Sequence, residues 1–371
     1  METTKPRTVS SIGMFDMLKG AGMLSIVLGH TVELYPLQLS NGLSLTAFFC
    51  FIYRETLMAA FFIASGYGFR KRSIHKCIHQ QLKSLLKPYA YTALFTCVLH
   101  FIIHYKTFQY LPGTIGESIK VTGGFLLGLP HTAEYFGQEF FSCGPMWYLL
   151  ALMVGWVLLD VILNIFPERY VPWAVAGCVL LGWGASLVWE LPFCLIQGAV
   201  VVPYLYIGFL AKKKHLLDEP LPPKVFVGLL AATALIAVGA LATRTTDCIS
   251  LAEWSLGPLS IFLDGAAGLL FIRLFMRLSH GHGPIVHFLE AVGRRSLNIF
   301  CVHTVEIIAI PWYLMVAKFS AQPVLGMWLQ YAISLGSIWL VCELLRVRRA
   351  LIIRFFPAQR RTPAVRYTSR H

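Results

Sequence analysis

What most constrains this chain is a series of apolar runs of about 20 residues, the length an α-helix needs to cross a ~30 Å hydrocarbon core. They lie near 14–34, 47–69, 86–104, 145–163, 172–189, 193–211, 224–243, 255–276, 297–317 and 323–345. With 57% hydrophobic and 13% charged residues, the chain lacks the polar surface that a soluble domain of 371 residues needs. The runs are continuous rather than short and alternating, which excludes an outer-membrane barrel. The expected fold is an all-α integral membrane protein with about ten transmembrane helices in one bundle. A further apolar stretch, Val121 to Pro130 (VTGGFLLGLP), is too short and glycine-rich to cross unaided. It is expected to be re-entrant or interfacial.

The net charge of +13 does not form one basic face. Lys and Arg cluster in short loops between apolar runs, as they do on the cytoplasmic side of membrane proteins, so the charge calls for no nucleic acid. With ten spans and both termini cytoplasmic, 26 of the 31 basic residues fall inside and only Arg54, Lys106, Lys120, Arg244 and Lys318 outside. Treating 121–130 as a full span would place one half of the inner cations on the wrong side. The N-terminal run lacks a small-residue cleavage pattern and contains His30, so it reads as an uncleaved first span. The nine cysteines show no ligand or disulfide spacing, and no metal site is expected. The domain expectation is a membrane unit over 1–345 and a basic cytoplasmic tail over 346–371 that rests on anionic lipid.

Ionisable groups inside apolar spans are costly, and each is a candidate site or half of a structural pair. The first span reads FDMLKGAGMLSIVLGHTVEL, with Asp16, Lys19, His30 and Glu33. Lys19 and His30 are eleven residues apart, hence on one helix face and separated by about 16 Å in depth. His30 suits proton removal from a hydroxyl and leads the catalytic candidates; a histidine satisfied by a neighbouring helix is an equal reading of the same residue. Glu55 lies at a similar depth and could orient the imidazole, beside Arg54; a structural Arg54–Glu55 pair or a headgroup contact explains them as well. Ser65 and Gly66 allow close helix approach or open the backbone to a ligand. Trp147 and Tyr148 begin a span at the outer interface, where an aromatic belt is the default. His303 and Glu306, three apart, could pair on one face, and Glu306 and Asp264 are the deepest carboxylates. The histidines His75, His79, His280, His282 and His287 fall in basic inner loops. No Walker, GxSxG or HExxH pattern occurs.

Four segments in order resemble the membrane acyltransferase family 3, which O-acylates sugars and other extracytoplasmic polymers. FDMLKGAGMLSIVLGH is similar to the family's D-x-L-[RK]-G helix with a histidine ten residues beyond the basic residue, here Asp16, Lys19, Gly20 and His30. FFIASGYGFRKR resembles its F-F-x-x-S-G-[YF] motif, MWYLLAL its W-[FY]-[LI] motif, and SLNIFCVH the late I-[YF]-x-x-H element that ends on His303. Lys19 departs from the more frequent arginine and cannot make the same bidentate contact.

The resemblance implies an acyl-CoA donor, with acetyl-CoA expected, entering from the cytoplasm, and no bound cofactor. It implies a carbohydrate or lipid-linked glycan acceptor and a cell membrane location, expected to be a bacterial inner membrane. His30 would be general base or acyl carrier; Asp16, Lys19, Arg54, Ser65, Gly66, Trp147, Tyr148, His303 and Glu306 would bind donor or acceptor. A multi-span exporter is the competing expectation, because it too places charges in mid-membrane.

Overall fold

The computed structural model describes residues 15–35, 56–218, 220–281 and 283–355. Arg54 and Glu55, the first half of the run at 47–69 and the tail beyond Phe355 lie outside the described residues. Helix α1 (Asp16–Glu33) is followed by α2 (Met58–Tyr67), then α3 (Ile74–Gln81), which runs through a π-helical turn at Leu82–Leu86 into α4 (Lys87–Phe108). After α5 (Leu111–Leu127) come a short hairpin, β1 (Ala133–Tyr135) with β2 (Gln138–Phe140), and the helices α6 (Trp147–Ile165) and α7 (Val171–Ser186). The remainder is α8 (Leu195–Val200), α9 (Val202–Lys213), α10 (Pro223–Thr243), α11 (Pro258–Leu278), α12 (Pro284–Gly293), α13 (Ser296–Ala309), α14 (Trp312–Lys318) and α15 (Pro323–Phe355).

Among the described residues, five helices are long and apolar enough to cross a membrane, and up to seven if two bent pairs each count as one span. This is a multi-pass membrane protein. The runs at 193–211 and 297–317 are not straight helices: α8 and α9 meet at 51°, and α13 and α14 at 64°. Proline accounts for the second break, since Pro311 supplies no amide hydrogen and constrains Ile310, which leaves the helix at φ −92°, ψ 127°. The last run at 323–345 continues without interruption to Phe355, so no structural break marks position 345.

Residues 121–127 of the stretch 121–130 form the end of a longer helix. Helix α5 begins at Leu111, where Pro112 occupies its first turn, and stops at Gly128, whose φ of +61° a Cβ would resist. It packs antiparallel on α4, with Tyr89 Oη donating to the Phe125 carbonyl (2.6 Å) and His104 meeting Thr114 (2.9 Å). The hairpin turn at Phe136 and Gly137, both at positive φ as a type I′ turn requires, sends the chain back along α5. There the Phe141 amide donates to the Lys120 carbonyl.

Close backbone crossings fix the helices that carry the site. A Cβ on Gly20 would stand 1.9 Å from the Leu289 carbonyl, and one on Gly293 1.8 Å from that of Asp16, so α1 and α12 meet backbone to backbone at these points. Gly66 and Gly208 do the same for α2 and α9. In exchange these crossings gain packing of backbone on backbone, the attraction that holds helices together in lipid.

Candidate active site

Helix α1 presents ionisable groups at both ends. Near its start Lys19 Nζ donates to Asp16 Oδ1 (2.9 Å). At its last turn His30 Nδ1 approaches Glu33 Oε2 (3.4 Å), each side chain about a quarter exposed. The His30 ring lies 5.5 Å from the ring of His303 on α13, tilted by 35°.

His303 is buried, and its surroundings fix its tautomer. Its Nδ1 is 3.0 Å from Glu306 Oε2, while Ser334 Oγ on α15 donates to Glu306 Oε1 (2.8 Å). Where Glu306 is a carboxylate it accepts from both, and the hydrogen of a neutral His303 then sits on Nδ1 with the lone pair on Nε2. That Nε2 is buried and has no hydrogen-bond partner among the described residues. The three-residue spacing anticipated the His303–Glu306 pair; nothing in the sequence pointed to Ser334, which approaches from 28 residues away.

Two cavities meet at His30. The smaller, about 300 Å³, is lined by His30 and Glu33 together with Trp147, Tyr148, His131 and Phe300. The larger, about 570 Å³, shares His30, Trp147 and Ser250 and continues to His104, Glu117 and Tyr313. Tyr148 lies at hydrogen-bond distance from Ser65 (3.2 Å) and packs on Phe62 with ring centres 4.6 Å apart. Ser65 therefore reaches the site through Tyr148. Gly66 does not: its α-carbon faces the Leu205 backbone, leaving no room for a ligand there. Among the described residues Glu33 meets His30; Glu55, expected to orient the imidazole, lies outside them.

A further histidine on the cavity wall had no sequence signal. His131 Nδ1 meets the Ser250 carbonyl (3.0 Å), and its Nε2 lies 3.6 Å from Glu190 Oε2. The Glu190 carboxyl, in the connection before α8, is pushed up by burial, against the opposing pull of His131. The pair ties together three connections that are remote in sequence.

The arrangement can abstract a proton from a hydroxyl and hold that hydroxyl in a cavity walled by aromatic rings. The family model described as an acyltransferase domain matches residues 12–347. The chain belongs to the acyltransferase 3 family, and it is an acyltransferase. No curated protein and no solved structure matches it. In this family member the four motif segments occupy α1, α2, α6 and α13, and His30, Ser65, Tyr148 and His303 from those four helices converge on one region.

Proposed function

We propose that this acyltransferase moves an acyl group, with acetyl the expected one, from acyl-CoA on the cytoplasmic side to a hydroxyl of a carbohydrate or lipid-linked glycan on the outer side. The reading includes ten spans with both termini cytoplasmic, in a bacterial inner membrane, and is supported by the inner bias of Lys and Arg. The observation that carries it is the place of His30. It stands where the two cavities meet, at the opposite end of α1 from the Asp16–Lys19 pair.

With Nδ1 held by Glu33, the other nitrogen of His30 takes the proton of the acceptor hydroxyl as its oxygen attacks the thioester carbon. The carbon–sulfur bond breaks, and the proton passes from the imidazole to the departing CoA sulfur. His303, fixed by Glu306 and Ser334, supports the His30 ring from the buried side. Lys19 and the basic inner segments, among them Lys76 and Lys83 on and after α3 with His75 and His79 beside them, offer positive charge and hydrogen-bond donors to the donor's phosphates.

The two bent helix pairs favour one competing reading, an exporter, since broken helices line transport routes. One experiment separates the two. Membranes carrying matched amounts of wild type and His30→Ala are given radiolabelled acetyl-CoA, and label is followed on glycans, lipids and the protein. Label on glycan with wild type alone supports the transferase; label with neither protein contradicts the acetyl-CoA reading.

A further inference from the structure

The larger cavity extends beyond His30 to the α4–α5 hairpin, where it carries polar groups that acyl transfer does not use. Thr114 Oγ1 donates to the Tyr110 carbonyl (2.9 Å), so towards His104 Nδ1, 2.9 Å away, it can only accept. The hydrogen of His104 is thereby placed on Nδ1, and its Nε2 is left as an acceptor. Glu117, on the same wall, has Oε1 3.5 Å from Lys120 Nζ, and its side chain is 38% exposed, within reach of a ligand. Phe141, Trp312 and Tyr313 line the same cavity, and Tyr313 stacks on Phe108 with ring planes 8° apart. Hydrogen-bond acceptors on one side and aromatic faces on the other suit a ring with hydroxyl groups at its edge and apolar C–H faces.

We propose that this arm is a subsite for a second, neutral polyhydroxylated unit of the acceptor. His104 Nε2 and the Glu117 carboxylate accept hydrogens from its hydroxyls, while the unit to be acylated lies at His30. The inference rests on the outer cavity being the acceptor site, and it adds that the acceptor spans at least two sugar-like units. Because both groups accept, neutral hydroxyl or N-acetylated units fit in the arm and a carboxylate-bearing one is repelled by Glu117.

The test reads binding directly. The full-length protein in nanodiscs is titrated, by saturation-transfer NMR, with methyl β-cellobioside and methyl β-chitobioside, their single-unit glycosides, and a disaccharide ending in glucuronate. The wild type is expected to bind a neutral disaccharide more tightly than its monosaccharide, and the glucuronate-ended one more weakly. Glu117→Gln, which removes the charge that strengthens its hydrogen bond, and His104→Phe, which removes an acceptor, each weaken disaccharide binding about fivefold and leave monosaccharide binding unchanged. Glu117 is exposed, so that variant keeps the test open if His104→Phe misfolds. Equal binding in wild type and Glu117→Gln, no preference for the second unit, or no binding of any probe would each overturn the proposal. Sugar binding without acetyl transfer would defeat only the acetyl-CoA reading; transfer with unchanged binding in both variants would defeat only the subsite.

Discussion

His303–Glu306 and His30–Glu33 repeat one pattern, a histidine three residues before a glutamate on a helix face, in two environments. The first is nearly sealed, with side chains 2% and 6% exposed, a 3.0 Å contact, and Ser334 completing the carboxylate. The second is a quarter exposed, with a 3.4 Å contact, and opens on two cavities. Burial makes a polar contact costly to break, so the same spacing gives a rigid strut inside, though His303 Nε2 has no hydrogen-bond partner among the described residues, and an adjustable group at the cavity. A support and a reacting group thus come from one local motif.

The contrast is broken most severely by Glu306→Ala, which strands the His303 Nδ1 hydrogen and the Ser334 hydroxyl in the interior. It is expected to cost about 2–4 kcal/mol, seen as early melting of the detergent-solubilised protein; wild-type melting would mean that the pair is not a strut. At the open pair, Glu33→Gln leaves melting unchanged and lowers acetyl transfer about tenfold, because the amide orients His30 without its charge. An unaltered rate would remove Glu33 from the chemistry. Ser334→Ala takes away one of two donors to Glu306 and is expected to cost about 1 kcal/mol, again read as a melting shift.

A third ion pair sets the lower end of the scale. Glu168, in the connection before α7, accepts from Lys213 (2.8 Å) and is held below the usual carboxylate range by it, but the pair is solvent-exposed. A depressed carboxylate stabilises the fold above its unfolded pKa, and that contribution is lost as pH falls through the folded one. Glu168→Gln is expected to lower stability at neutral pH only slightly, because the pair is exposed and screened by salt, and to leave it unchanged below the carboxyl's folded pKa, where wild type has already lost the contribution. A marked loss of stability at neutral pH would show that exposure is the wrong scale for ranking these pairs.

Apolar run length and helical spacing made the helical membrane class, the place of α1 and the His303–Glu306 pair legible. Both act within one segment. Pro311 stood in view as a breaker inside the run 297–317, yet hydropathy averaged over that run concealed the bend it causes. Helix α5 was concealed differently, since Glu117, Ser118 and Lys120 dilute the apolar signal of a helix that starts at Leu111. The amphipathic α12 was absent from the sequence reading because ten residues fall below the span length, although Gly20 and Gly293 show that α1 rests on it. The site's other members were out of reach because their contacts are long-range. Ser334 meets Glu306 across two helices, and His131, Glu190 and Ser250 meet from three separate connections.

The proposed service of His30 to an acceptor on the face opposite the donor can be tested across the membrane itself. Inverted membrane vesicles, cytoplasmic side outward, are loaded with a neutral disaccharide in the lumen and given radiolabelled acetyl-CoA outside. The account predicts label on the luminal sugar with wild type and none with His30→Ala. Label only on sugar supplied on the same side as acetyl-CoA, or equal luminal label with His30→Ala, would contradict it.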